Sequence, residues 1–159
     1  MIDSHAHLGA LDPATLHPVL MRAVSAGVSA IINIATDEQT ISHGQKLLIE
    51  LHNKATPAIF LAAATTPHDV AKDGETFFPI VKQAVEKKTL IAIGETGLDY
   101  HYLHSPKETQ ILYLQKYLDL AHWAQLPVII HCRDAFQDLF SITDAREFKV
   151  PMLIHCFTG

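Results

Sequence analysis

The sequence predicts an α/β fold in which a parallel sheet is covered by helices. Short apolar, β-branched runs alternate with helical patterns along all 159 residues, and such strand–helix alternation is typical of parallel sheets. The runs are almost continuously apolar, as expected for strands that helices cover on both faces. Two architectures share this pattern, an open doubly wound sheet and a closed barrel. No glycine-rich phosphate fingerprint follows the first run, which disfavours the dinucleotide-binding form of the open sheet.

Six runs are predicted as strands and five segments between them as helices. The strands are residues 2–7, 30–36, 58–65, 90–96, 128–133 and 152–157. The first helix begins at Asp12-Pro13, a cap residue before a first-turn proline, and ends at Gly27. The second, third and fifth helices are predicted over residues 41–51, 77–85 and 135–142.

The fourth helix has the clearest start signal. Ser105, Pro106 and Glu108 match a capping box with a proline at the first helical position. The serine hydroxyl and the glutamate carboxylate are therefore expected to bind the free N–H groups of the first turn. The apolar residues that follow recur at spacings of three and four and form one core-facing stripe: Ile111, Leu114, Leu118 and Ala121.

Composition indicates one ordinary globular domain over residues 1–159. The chain is 48% hydrophobic and 18% charged, with a net charge of −5 and only 12 lysines and arginines. This excludes a broad basic face for nucleic acid, but not a nuclease, because bound divalent ions also hold phosphate. No apolar run is long enough for a bilayer and no secretory signal opens the chain, so a cytoplasmic location without a membrane partner is expected. Cys132 and Cys156 are predicted to be reduced, buried thiols that face the helix layer.

Two histidines near the start of the chain form a candidate chelate. His5 and His7 are two residues apart, and alternate side chains of a strand share one face. Two neutral imidazoles on one side bind zinc and other divalent transition metals. A solvated histidine pair near a terminus is the alternative, and this stretch alone does not separate the two.

Three more polar residues end later apolar runs. Glu95, His131 and His155 lie at the ends of the fourth, fifth and sixth predicted strands. The C-terminal ends of parallel strands meet at one rim, where barrels and open sheets bind their ligands. A lone histidine there is usually a hydrogen-bonded core residue, but imidazoles and carboxylates buried without partners are costly. One shared metal site formed with His5 and His7 explains all five residues together.

Five segments of the chain resemble one family. They are DSHAHL, GETGLDYH, the glutamine of ETQ, LPVIIHCRDA and IHCFTG, and they occur in the expected order over the whole chain. The family is that of the TatD-type metal-dependent deoxyribonucleases, which belong to the amidohydrolase-like barrels. The resemblance implies a TIM-type (β/α)8 barrel with two divalent ions, Mg²⁺, Mn²⁺ or Zn²⁺. It also implies hydrolysis of phosphodiester bonds, with DNA as the substrate.

The same resemblance implies roles for the five residues. Glu95 matches the glutamate that bridges two metal ions. His5 and His7 match the ligands of one ion, and His131 and His155 match those of the other. A pair of ions held in this way activates a water and neutralises charge on the scissile phosphate.

Other residues of the rim are weaker candidates. Arg133 is a candidate phosphate contact, with a salt bridge to Asp134 or Asp99 as the alternative. Asp99, placed in the loop after the fourth strand, either orients a metal ligand or caps a turn. Three histidines follow the third and fourth strands and are either substrate contacts or surface residues: His68, His101 and His104.

The chain departs from the family pattern in length. Barrels of this type have eight strands in about 250 residues, whereas this sequence has about six β/α units and ends at Gly159. The aspartate that the family places after strand seven, a metal ligand and general base, has no counterpart here. We therefore expect an incomplete barrel with two open edges, at the first and sixth strands. It is expected to be either part of a longer chain or completed by a second chain.

Two other functions stay open at this point. One is an amidohydrolase-like enzyme that acts on a small ester, lactone or amide. Such enzymes often bridge their metals with a modified lysine, whereas the fourth strand offers Glu95 and no lysine. The other is a non-catalytic metal-binding fragment, which would bind ions without turnover.

Overall fold

The computed structural model describes residues 1–52, 55–145 and 148–157 and contains one parallel sheet covered by helices. The strands are β1 (Ile2–Ala6), β2 (Ala30–Ala35), β3 (Ala58–Ala63), β4 (Ala92–Asp99), β5 (Val128–Arg133) and β6 (Met152–Ile154). The helices are α1 (Pro13–Ser25), α2 (Glu38–Glu50), α3 (Val70–Glu86), α4 (Lys107–Ala124) and α5 (Phe136–Asp144). A short 3₁₀ turn, Leu8–Ala10, follows β1.

The six strands lie in chain order, and each pairs in parallel with the next. A doubly wound sheet changes direction at a switch point, so this sequential order excludes that architecture. The sheet also curls, because the ring of His5, on β1, stacks on the ring of His155, just after β6, with centroids 4.1 Å apart. The fold is therefore an incomplete (β/α) barrel, which confirms the predicted fold class. Among the described residues, β1 pairs only with β2, and β6 only with β5.

Two apolar layers lie on the two faces of the sheet. The larger packs the sheet against α3 and α4 and includes the fully buried Phe77, Leu114 and Tyr117. The smaller lies inside the curl and is built from one buried side chain on each of four neighbouring strands: Ile34, Ala62, Ala92 and Ile129. Burial on both faces explains why the strands are apolar almost throughout. Within the described residues, no helix is both long and apolar enough to cross a membrane.

Helices α2 and α3 begin earlier than predicted. Asp37 and Thr40 form a capping box, with the Thr40 N–H donating to the Asp37 carboxylate at 2.7 Å, so α2 starts at Glu38. Helix α3 starts at Val70, seven residues before the predicted start, and contains Gly74, a residue of low helix propensity. Gly74 lies against the ring of Tyr113, where a β-carbon would come within 2.8 Å. The glycine therefore serves the packing of α3 on α4.

The predicted cap of α4 is wrong. Helix α4 begins at Lys107, and Pro106 occupies the N-cap position without a side-chain cap. The buried hydroxyl of Ser105 instead donates to the carbonyl of His68 at 2.8 Å and accepts from the N–H of Ala71 at 3.1 Å. A tertiary contact thus replaces the local one, and it fixes the loop before α3 to the start of α4.

The largest differences from the predicted strand ends are in β4 and β6. Strand β4 continues to Asp99 with all eight residues buried, so Glu95 lies within the strand and Asp99 ends it, rather than lying in a loop. Strand β6 ends at Ile154, and His155 and Cys156 follow in a turn. Cys156 has a left-handed φ of 50° and is exposed, so its predicted burial is wrong. Cys132 is buried as expected, and this burial raises the pKa of its thiol to about 11.

Candidate metal centre

His5, in β1, and His7, directly after it, converge at the C-terminal end of the strand. The Nε2 atoms of His5 and His7 lie 3.2 Å apart, and their rings meet edge to face. The backbone on both sides is held in place by side chains, since Asp3 accepts from the N–H of His5 and buried Asn33 accepts from the N–H of Leu8. The structure therefore presents both imidazoles to one point, as the alternation of strand residues predicts.

Glu95 lies at the centre of the site, between two pairs of histidines. Its Oε2 atom lies 3.2 Å from Nε2 of His5 and 3.7 Å from Nε2 of His7. Its Oε1 atom lies 2.8 Å from Nδ1 of His131 and 2.7 Å from Nε2 of His155. Each carboxylate oxygen thus faces a separate pair of imidazoles. All five residues selected from the sequence are brought together.

The charge of Glu95 is held by the histidines around it. Burial alone would raise the pKa of this carboxyl, but hydrogen bonds from His131, His155 and His5 outweigh burial and keep the pKa well below its usual range. Burial lowers the pKa of His7 in spite of the nearby Glu95 charge, which favours a neutral ring with a free lone pair. The site thus combines an ionised carboxylate with imidazole donors, the ligand set that divalent transition metals take.

The shifted pKa of Glu95 predicts a pH dependence in the metal-free chain. Because the folded-state pKa lies below the ordinary value of 4.5, the stability that Glu95 contributes is complete above about pH 4.5 and is lost as the pH falls through the folded-state pKa. In chelator, the melting temperature of the wild type should exceed that of Glu95→Gln at pH 6, and the gap should narrow toward pH 3. A gap that stays constant over this range would contradict the assignment.

Among the described residues, three groups of donor atoms are close enough to hold a cation, with the ligand atoms of each group within 4.8 Å of one another. The groups are His5–His7–Glu95, Glu95–His131–His155 and His68–Asp99–His131. The first two share the Glu95 carboxylate, one oxygen each. In the first group, two imidazole nitrogens and one carboxylate oxygen face each other at short range. A divalent cation would bind the lone pairs of all three atoms. The residues present therefore fit two ions on either side of one carboxylate.

Asp99 is a site residue whose position the sequence reasoning missed. Its carboxylate is buried, and Oδ2 lies 2.9 Å from Nε2 of His131 and 3.5 Å from Nε2 of His68. The signal was present, because Asp99 lies four residues after Glu95 and an extended strand places both on one face. The predicted strand ends at residue 96, and so it does not include Asp99.

Gln110, the glutamine of the ETQ segment, holds the end of β4. Its Oε1 accepts from the N–H of Asp99 at 2.8 Å, and its Nε2 donates to the carbonyls of Asp99 and Ser105. The side chain is fully buried, on α4. It satisfies backbone groups at the point where the sheet meets the helix layer, and so fixes the position of the Asp99 carboxylate.

The predicted substrate contacts lie at the exposed rim. The Arg133 guanidinium lies 4.8 Å from the ring centre of Tyr102. Asp134 pairs with Nδ1 of His101 at 3.2 Å and Asp99 faces His131 and His68, and neither carboxylate forms an ion pair with Arg133 in the part of the chain described here. His101 is 46% exposed in its side chain. Arg133 is thus a solvent-facing cation directly after the site residue His131.

A curled parallel sheet with a histidine–carboxylate cluster at its carboxyl rim defines a (β/α)-barrel protein with a candidate metal centre where such barrels carry their active sites. The chain belongs to the TatD family: the family model described as "TatD related DNase" matches residues 2–159. This confirms the resemblance seen in the sequence.

Individual relatives agree with the family. The chain is 34% identical to the "Uncharacterized metal-dependent hydrolase YabD" of Bacillus subtilis, over all of this chain and 61% of that protein. It is 33% identical to the "3'-5' ssDNA/RNA exonuclease TatD" of Citrobacter koseri, over 89% of this chain and 53% of that protein. Among solved structures, the TatD homologue YJJV of Escherichia coli matches with a TM-score of 0.87 and 28% identity, over all of this chain and 61% of that one. The chain thus spans between half and two thirds of the length of these relatives.

Proposed function

We propose that this chain is a divalent-metal-dependent hydrolase that cleaves phosphodiester bonds, with DNA as its substrate. The observation that carries the proposal is the position of Glu95, whose two carboxylate oxygens each face a separate pair of histidines. Two ions held in this way stabilise both the attacking and the leaving oxygen when a phosphodiester is cleaved. The name of the Citrobacter koseri relative, an exonuclease on single-stranded DNA and RNA, supports the same substrate class.

The five residues of the cluster would form two metal-binding groups that share Glu95. His5 and His7 would hold one, His131 and His155 the other, and Glu95 would bridge them through its two oxygens. The ions would supply an activated water and charge neutralisation at the phosphate, as Mg²⁺, Mn²⁺ or Zn²⁺ pairs do. The half-buried histidine rings limit water access to the bridging carboxylate. The supporting contacts of Asn33 and Gln110 keep the strand ends in place.

Arg133 is proposed to contact a phosphate of the substrate, with His101 beside it. The chain has a net charge of −5, so an exposed cation beside the cluster is the feature that would attract a polyanion. The ring of Tyr102 supports the guanidinium from one side, which reduces the entropy lost on binding. His101, fixed by Asp134, borders the same ring edge to face, with centroids 4.7 Å apart.

Replacing Arg133 by alanine should therefore raise KM far more than it lowers kcat. A hydrogen bond to a charged group is worth about 1.5–3 kcal/mol, which corresponds to a rise in KM of about 10- to 100-fold. Steady-state kinetics on a labelled oligonucleotide measures this. Lys116→Ala is the matched control, because Lys116 also lies over an aromatic ring, that of Tyr113 at 4.5 Å, but on the helix layer. An equal effect of both substitutions would contradict the proposal.

The proposed function is tested by direct turnover. The folded chain, checked first by circular dichroism, is incubated with fluorescently labelled single-stranded DNA and Mg²⁺, Mn²⁺ or Zn²⁺. Phosphotriester and lactone substrates are run in parallel. Cleavage of DNA alone supports the proposal, whereas turnover of the lactone or triester alone would assign the amidohydrolase-like function. Metal uptake without any turnover would indicate a non-catalytic metal-binding chain.

Three further expectations stay predictions. One is that residues 1–159 form a single domain, the second is a cytoplasmic location, and the third is completion of the barrel by further strands. The open edges of β1 and β6 support the third, since each has one strand neighbour among the described residues. Exposed apolar side chains are also present at those edges, with Ile2 65% and Leu153 39% exposed.

A further inference from the structure

The two oxygens of the Asp99 carboxylate contact different partners. Oδ1 accepts from the backbone N–H groups of His101 at 3.0 Å and Tyr102 at 2.8 Å. Oδ2 faces Nε2 of His131 at 2.9 Å and Nε2 of His68 at 3.5 Å. The residue is fully buried, and its own backbone is held by Gln110. The orientation of the carboxylate is thus determined from every side.

A third cation site at His68, Asp99 and His131 is the first function to consider for this group. A neutral imidazole has one lone pair and one N–H. Since Nδ1 of His131 faces Glu95 and His155 in the second donor group, a ligand role for Nδ1 places the proton on Nε2. A proton on Nε2 excludes an ion between His131 and Asp99. The third group is therefore better explained as a hydrogen-bonded support of the second.

We propose that Asp99 is a positioning residue that fixes the tautomer of His131. Its Oδ2 accepts a hydrogen bond from the Nε2–H group of His131. The lone pair of Nδ1 is therefore directed toward the cluster that contains Glu95 and His155. Carboxylate–histidine–metal chains of this kind orient the ring and raise its basicity as a ligand. The inference rests on the proposed metal site: without an ion, Glu95 accepts from Nδ1 of His131 as Asp99 accepts from Nε2, whereas an ion held by Nδ1 leaves Asp99 as the acceptor for the remaining proton.

Because Oδ1 accepts from two backbone N–H groups, the substitution Asp99→Asn tests the tautomer of His131 directly. The two backbone N–H groups require an acceptor, so the asparagine carbonyl is expected to take the position of Oδ1. The amide NH₂ then occupies the position of Oδ2 and presents a donor to Nε2 of His131. This reverses the required tautomer and moves the proton to Nδ1, where it blocks the lone pair. A substitution that keeps size and packing thus removes a metal ligand atom, Nδ1 of His131, by acting on the opposite nitrogen of the ring.

The experiment combines nitrogen-15 NMR of histidine-labelled chain with Zn²⁺ titration by calorimetry. In the wild type, Nε2 of His131 should carry a proton both with and without Zn²⁺. In metal-free Asp99→Asn, the proton should be on Nδ1. The variant should take up one Zn²⁺ with wild-type affinity, at His5, His7 and Glu95, and bind the second about 10- to 100-fold more weakly. His131→Gln provides the resonance assignment.

Asp134→Asn is the matched control, because its carboxylate pairs with the exposed His101 rather than with a site residue. It should bind two Zn²⁺ as the wild type does. An unprotonated Nε2 in the wild type, or an Nε2–H tautomer in Asp99→Asn, would overturn the inference, and so would uptake of three ions by the wild type. If the wild type binds no Zn²⁺, the proposed function fails, yet a metal-free wild type whose Nε2 carries no proton would still overturn this inference, even if Asp99→Asn does not fold.

Discussion

Replacing Glu95 by glutamine will weaken the binding of both metal ions, whereas loss of any one histidine should affect mainly one. The reason is geometric, because Glu95 is the residue that the two donor groups on either side of it share. A glutamine keeps the volume but offers one neutral oxygen instead of two charged ones. Loss of an outer partner of a ligand costs about 10- to 100-fold in metal affinity, so loss of this shared ligand should cost at least about 100-fold at each site. Turnover should fall with it.

Calorimetric titration with Mn²⁺ or Zn²⁺ measures this effect, beside His5→Ala and His155→Ala as single-site references. Glu75→Gln is the control, since Glu75 is an exposed residue of α3 that takes no part in the cluster. If Glu95→Gln still takes up two ions with wild-type affinities, the carboxylate is not a ligand. If it loses one ion and keeps the other, Glu95 belongs to a single site and does not bridge.

Replacing Gly97 by alanine is expected to lower the free energy of unfolding more than any other substitution proposed for this chain. Gly97 lies in β4 between Glu95 and Asp99, opposite His131 of β5, and has a φ of +148°. A β-carbon there would overlap the carbonyl oxygen of His131. The positive φ and the carbonyl of His131 are both features of the backbone, so a side-chain rotation cannot relieve the overlap. The two strands must separate where the metal centre is built.

The expected cost is about 3–5 kcal/mol, from an unfavourable φ together with a steric overlap. For a chain of this size that lowers the melting temperature by about 10 °C or more. Gly27→Ala separates the two causes, because Gly27 has a φ of +80° but nothing within 4 Å of the added carbon. It should cost only about 1–2 kcal/mol. Thermal melts that show equal losses for the two variants would contradict the overlap.

The strands were predictable because their signal is local. A strand buried on both faces must be apolar along its length, and five of the six observed strands begin within one residue of the predicted start. The five site residues were found for a related reason. In apolar runs, an imidazole or carboxylate without a partner is costly, so His131 and Glu95 stand out from their surroundings. The family resemblance predicts the same strands and the same five site residues.

The errors occurred where a tertiary contact overrode a local pattern. Ser105 has the sequence of a helix cap, yet its hydroxyl binds the carbonyl of His68 and the N–H of Ala71, at the start of α3. Gly74 lies outside the predicted third helix, yet α3 begins at Val70 and includes it because Gly74 packs on Tyr113. A local signal of about 1 kcal/mol is easily outweighed by such packing.

The sequence by itself determined the order of strands and helices, the family, and which residue types line the rim, because these depend on period and on the cost of burying polar groups. Only the tertiary structure decided that each oxygen of Glu95 faces a different pair of histidines, and that Asp99 faces His131. Those contacts join β1 to β4 and β4 to β5 and β6. They depend on how far the sheet curls, and the curl is set by the packing of the whole chain rather than by any one segment.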